Sequence, residues 1–275
     1  MLFDPHLRAG GLAARDLADL RWFGVEGALC PVEAAGAPAT APALRRAWED
    51  LAGRGIPRLR RGGLGAFAAL AVPSARIPGR GLEALLAELP EFLSRRGVAA
   101  VGPLGPAGGD PREEEVLLRQ LELARELRLP VLLAAPARDA QRRTRRAVAV
   151  LRESGVAPGR VLVDGADART VRVLRAVGYL AVVPIPGRPG GVDEAARLVR
   201  SLGPEGIALA SHAGDGGGDL LALPRAADRM ARLGLSEAVI RRACGRNALA
   251  ALGLEPAQVR SAAAPTGRSA RRTSP

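Results

Sequence analysis

The chain reads as a single (β/α)8 barrel of 275 residues. Three observations predict it. Short apolar runs alternate with longer amphipathic stretches about eight times, roughly every 30 residues, which is the pattern of a parallel sheet built from strand–helix units. The rival, an open doubly wound sheet, normally carries a glycine-rich loop after its first strand, and residues 4–9 (DPHLRA) contain no glycine. Polar side chains also gather just past the apolar runs, at the strand ends where barrels build their sites.

Each element has a local reason. Leu2–His6 is the first apolar run, and Arg15–Phe23 is a helix with Leu17, Leu20 and Phe23 on one face. Val25–Pro31 is strand two. Glu33–Pro42, rich in Ala, Pro and Gly, is a loop, and Pro42–Arg54 is a helix carrying Leu44, Trp48 and Leu51. Strand three runs over Phe67–Val72, followed by a helix over Leu82–Arg95. Strand four is Val98–Gly102, with Pro103 and Leu104 just beyond it. Arg112–Leu127 is the clearest helix: Pro111 and three glutamates suit a helix N-terminus, and Val116, Leu117, Leu121 and Ala124 recur at helical spacing. Strands five to eight fall on Pro130–Ala134, Val161–Val163, Leu180–Ile185 and Ile207–Ala210. Helices lie between them over Ala140–Ser154, Ala168–Val177 and Asp193–Leu202, each closed by a glycine. Pro224–Leu233 and Ser236–Leu252 are the last helices. The barrel is assigned to residues 1–254, and 255–275 to an Ala/Arg/Ser/Pro-rich tail expected to be disordered.

Composition bounds the function. The net charge is +12 and every one of the 40 basic residues is Arg. That charge permits a nucleic-acid-binding barrel. Aromatics, however, make up only 3% of the chain, so few rings are available to stack on bases. Arg142–Arg146 (RRTRR) reads as a solvated helix face. The two cysteines, Cys30 and Cys244, form no CxxC pair, which fits a reduced cytoplasmic protein. With no leader pattern and no apolar run near about 18 residues, a membrane protein is not expected.

The segments FDPHLR, RRGVAAVGPLG, LLRQLELARELRLPVLL, APARDA, LRESGVAPGRVLVDG and RNALAALGL follow one another in the order and spacing of a known family. From Leu2 to about Leu254 the chain resembles the TatD-related metal-dependent hydrolases of the amidohydrolase superfamily. That resemblance implies a (β/α)8 barrel, a two-metal site, and phosphoester or DNA substrates. It also implies where the ligands should stand. The first His of the opening Asp-x-His-x-His motif matches His6, but the second falls on Arg8. The bridging Glu after strand four falls on Pro103. The histidines after strand five fall on Ala134 and Ala137, and the one after strand six falls on Gly165, behind Asp164. The Asp after strand eight falls on Gly214, or on Asp215 with a slip of one.

A hydrolytic metal site needs several His or carboxylate donors at about 2.0–2.2 Å and an open position. The whole chain has two histidines, His6 and His212. The expectation is therefore a degenerate, non-catalytic member with no cofactor. His6 would be bonded to Asp4 or Asp164, Asp164 would serve structurally, and the mouth residues Arg8 and Arg138 would take a small anionic ligand, with a protein partner as the other occupant. The alternatives are an active hydrolase with one divalent metal, Zn or Mn, on His6, Asp215 and His212, with Asp164 and Asp215 as the candidate catalytic carboxylates, and a basic nucleic-acid-binding barrel. The glycine run 214–218 is a weak candidate phosphate cradle.

Overall fold

The computed structural model describes residues 1–33, 40–105, 110–134, 140–214 and 218–263, without the side chains of residues 75 and 140–144. Eight parallel strands follow one another in chain order: β1 (Leu2–Asp4), β2 (Val25–Pro31), β3 (Gly65–Leu70), β4 (Val98–Leu104), β5 (Val131–Ala134), β6 (Val161–Asp164), β7 (Leu180–Pro184) and β8 (Ile207–Ala210). Among the described residues the β1–β8 seam is joined beyond the strand ends. There the His212 N–H donates to the His6 carbonyl (3.1 Å) and the Arg8 N–H to the Ala213 carbonyl (2.8 Å). The result is one (β/α)8 barrel.

The helices form the outer ring: α1 (Ala14–Trp22), α2 (Ala41–Asp50), α3 (Ile56–Arg61), α4 (Leu82–Leu93), α5 (Pro111–Glu126), α6 (Ala140–Glu153), α7 (Ala168–Ala176), α8 (Gly191–Leu202), α9 (Ala222–Arg232), α10 (Glu237–Arg241), α11 (Asn247–Leu252) and α12 (Pro256–Ala263). Side-chain caps start several of them. Thr40 accepts from the Ala43 N–H, Asp110 from the Arg112 N–H, and Asp167 from the N–H groups of Arg169 and Thr170. Each cap stabilises its helix by about 1 kcal/mol.

The core has two layers. One, between strands and helices, is built from Leu, Val and Ala around Trp48 and Phe92. The other fills the barrel with Phe3, Leu29, Phe67, Leu132, Leu162 and Val182, among smaller residues such as Ala69, Ala100 and Ala208. Strand alternation sets which side chains go inward. Leu132 and Leu162 are inside, so Ala134 and Asp164, two residues further on, face the mouth.

Five expectations need correction. Strand three begins at Gly65, not Phe67. Gly65 pairs with Gly27, and a Cβ at either position would clash with Val259. Val259 lies in α12 and is fully buried, so residues 256–263 plug the bottom of the barrel and the packed unit does not stop at 254. Residues 264–275 lie outside the described residues. The helix expected over 42–54 continues through a widened turn at Leu51–Gly55 into α3. Phe23 is half exposed, because α1 ends at Trp22 and the chain turns at Gly24 with φ +82°. Pro103 and Leu104 belong to β4, where Leu104 pairs with Leu133. Among the described residues no helix is long and apolar enough to cross a membrane.

Candidate metal centre

The chain's two histidines meet at the mouth. Just past β1, the turn Asp4-Pro5-His6 is fixed by the His6 N–H donating to Asp4 Oδ1 (3.0 Å). Just past β8, His212 takes a left-handed backbone conformation with φ +52°. Such a conformation is uncommon and costly for a residue with a Cβ. It lays the His212 ring on the His6 ring, with centroids 3.9 Å apart and planes 22° from parallel. Asp164, the last residue of β6, takes one ring on each oxygen. His6 Nδ1 is 2.7 Å from Oδ2 and His212 Nε2 is 3.0 Å from Oδ1.

Electrostatics fixes the protons. Burial pushes the Asp164 carboxyl up, but the bonds from His212 and His6 and their charges outweigh it and hold the group well below the usual carboxylate range. An ionised carboxylate only accepts, so both ring nitrogens carry hydrogen toward it. His212 is held above the ordinary imidazole value. Burial opposes its charge, yet the Asp164 bond and the charges of Asp164 and Asp4 prevail over Arg8, which acts in the opposite sense. Asp4 is raised by burial against its bonds to Ser211 and His6.

His6, Asp164 and His212 thus bring two imidazoles and a carboxylate together, with ligand atoms within 4.8 Å of one another. That donor set suits a divalent transition metal. Among the described residues the donors of a two-metal centre are not brought together. The remaining positions implied by the resemblance carry Arg8, Pro103, Ala134 and Gly165, none of which has a side-chain lone pair to donate. An aspartate cannot stand at 214, because a Cβ there would lie 2.5 Å from the Arg8 carbonyl oxygen. Asp215, Ala137 and Arg138 lie outside the described residues.

Arg8 does not reach out alone. Its Nε lies 2.7 Å from Glu33 Oε1, with both side chains about a third exposed. Beside this pair opens a cavity of about 710 Å³, lined by residues such as Ala9, Val32, Glu33, Asp50, Leu51 and Arg58. Arg146, from the basic run, pairs with Glu114. Sequence reasoning named Asp4 or Asp164 as the partner of His6, and both bond it; it did not bring His212 onto Asp164, and it missed Glu33 as the partner of Arg8. The available signal was positional: the only two histidines stand at the ends of β1 and β8, the two strands that a closed barrel makes neighbours.

A (β/α)8 barrel with His and Asp side chains gathered at the C-terminal ends of its strands has the frame of a metal-dependent hydrolase. No family model matches the chain. It is 26% identical over 201 residues to an uncharacterized metal-dependent hydrolase of Methanocaldococcus jannaschii, a match covering 73% of this chain and 79% of that one. It shares its fold with a TatD-like protein of Archaeoglobus fulgidus, at a TM-score of 0.76 and 23% identity, over 92% of this chain and 100% of that one. It also shares it with a TatD homologue of Escherichia coli, at a TM-score of 0.66 and 22% identity, over 92% and 98%. The chain is TatD-like in fold and resembles a metal-dependent hydrolase in sequence.

Proposed function

We propose that this chain is a TatD-type barrel reduced from two metals to one, holding a single divalent cation, Zn or Mn, on His6, Asp164 and His212. The observation that carries this reading is the convergence of those three side chains from β1, β6 and β8, with a costly backbone conformation at His212 that brings its ring into place. Three protein donors with a position left open is the arrangement of catalytic rather than structural metal sites. A cation held there supplies Lewis acidity for ester hydrolysis, and phosphoesters are the substrate class that the family resemblance suggests. Mass spectrometry of protein purified without chelator or tag metal tests it. The expected result is close to one metal per chain, lost in His6→Ala, with phosphoesterase activity that follows the metal. Near-zero metal after Zn and Mn are added overturns it.

One observation favours a second reading. Asp164 is already satisfied by both rings, so the cluster is complete without a cation. On that reading the chain is a non-catalytic barrel in which Arg8 and the adjoining cavity take a small anion or a partner. The cavity's size falls within the range of about 300–1,000 Å³ typical of small-molecule sites. A nucleic-acid-binding barrel is less favoured: many of the helix arginines, such as Arg45, Arg119 and Arg229, are paired with carboxylates.

A further inference from the structure

We infer that Asp4 is the positioning residue of the His6–Asp164–His212 cluster, acting from behind the strands by clamping the two sides of the barrel seam to one carboxylate. The inference rests on the cluster but not on its holding a metal.

The seam is where the two histidines stand, on β1 and β8. Between every other neighbouring pair of strands a ladder fixes the register. Among the described residues no such ladder joins β8 to β1. Only two backbone bonds cross there, from the His212 N–H to the His6 carbonyl and from the Arg8 N–H to the Ala213 carbonyl, and beneath them Asp4 Oδ1 accepts from the His6 N–H at 3.0 Å and from the Ser211 N–H at 3.2 Å. One oxygen therefore holds the backbone of His6 itself and that of the residue preceding His212. The Ser211 N–H also lies 3.4 Å from Asp4 Oδ2, and the Ser211 hydroxyl accepts from the Ala213 N–H at 3.1 Å, which ties together the residues on both sides of His212.

Asp4 does this without entering the mouth. It is only 2% exposed, and it lies close enough to the buried Cys30 and Cys244 for its charge to be felt at both thiols. Cys30 belongs to the layer between strands and helices, and Cys244 to the widened turn Arg242–Arg246 that backs the seam. A Cβ at Gly245 in that turn would stand 3.2 Å from the Met1 carbonyl oxygen, so the backbone packs directly on β1. Asp4 is thus boxed in on the side away from any ligand, and it adds to those two backbone bonds in fixing the offset between the two ring-bearing segments. A shift of about 1 Å along the seam would separate rings now stacked at 3.9 Å and pull one nitrogen off Asp164. Hydrogen bonding at 2.7–3.2 Å tolerates no such shift.

The chain has only two histidines, so its histidine NMR spectrum reads this site alone. Asp4→Asn keeps an acceptor oxygen on the seam, and its amide can donate to the Ser211 hydroxyl. The expected result in metal-free protein is that Asp4→Asn retains the mutual ring-current shifts of the two imidazoles, whereas Asp4→Val loses them while still melting cooperatively. Zn affinity should stay within about threefold in Asp4→Asn and fall at least about tenfold in Asp4→Val, the scale of outer-partner losses at metal sites. Folded Asp4→Val with unchanged ring shifts overturns the inference. So does Asp4→Asn that folds but loses them, which decides the matter even where Asp4→Val does not fold. Wild-type protein that takes up no metal overturns the single-metal reading instead and leaves the ring shifts to judge Asp4.

Discussion

The two halves of the barrel mouth differ in kind. On the β6–β8–β1 side, Asp164, His212, His6 and Asp4 form a connected hydrogen-bonded cluster. On the β4–β5 side stand Pro103, Leu104 and Ala134, with no side-chain donor or acceptor, and Leu104 is buried in the core. A two-metal centre needs donors from both halves. Among the described residues the donors lie on one half, in a set only partly shared with the positions the family resemblance marks: His6 is carried over, while Asp164 and His212 are not among the implied ligands.

The polar half breaks most completely at Asp164. Asp164→Ala removes a ligand and the common acceptor of both rings, so bound Zn should fall from close to one per chain to near zero. That is a loss of at least about a hundredfold in affinity, since outer partners alone account for 10- to 100-fold. Isothermal titration on folded variant protein measures it, and retained Zn would place the cation elsewhere in the mouth.

The next effect is pH. His212 is held above its ordinary value, and a cation must displace that proton. Zn affinity should therefore climb about tenfold per pH unit below the folded-state value of His212 and flatten above it. Metal-free stability runs the other way. The His212 contribution is full below the unfolded imidazole value, about 6.5, and is lost as pH rises through the higher folded value. The depressed Asp164 adds stability above about 3.9 that is lost as pH falls toward its folded value. The cluster should thus support the metal-free fold most between about pH 4 and 6.5 and support it less at pH 9. Melting temperatures of wild type and Asp164→Ala across that range, expected to differ most inside the window, check the sign.

A milder change sharpens the contrast from the apolar side. Ala134 is the ladder partner of Asp164, so both side chains point to the mouth from neighbouring strands. Ala134→His places an imidazole beside the cluster and should raise Zn affinity by about tenfold or less. An unchanged affinity would mean that the apolar half cannot be re-equipped one residue at a time.

Most of the barrel was legible because it rests on periodicity and punctuation: the limits of β2 and β8 follow from their apolar runs, and α5 from Pro111, its glutamates and its apolar stripe. What was not legible depends on contacts distant in sequence. That Gly65 opens β3 is decided by Val259, nearly two hundred residues later. Absent family ligands were readable position by position, and so the loss of a two-metal centre could be argued. Of the cluster, His6 on Asp164 could be read but His212 could not, because its place requires a left-handed turn that no residue type announces and a seam that exists only once the barrel closes.

The smallest expected effect separates the two functional readings by sign. Arg8 and Glu33 form a partly exposed pair, so Arg8→Ala should change stability by no more than about 1 kcal/mol. For cation binding, exchanging one proton on His212 for a divalent ion adds one positive charge to the cluster. Removing Arg8 takes a repelling charge away and leaves Glu33 uncompensated. Zn affinity in Arg8→Ala should therefore rise by about three- to tenfold, less at high salt, where exposed charges are screened. For an anion held by Arg8, the same substitution abolishes the shift in melting temperature produced by inorganic phosphate, since a ligand stabilises only the state that binds it. A gain in Zn affinity with no phosphate effect in either protein supports the single-metal barrel. A phosphate shift present in wild type and lost in Arg8→Ala, with no Zn bound by either, supports the anion-binding one.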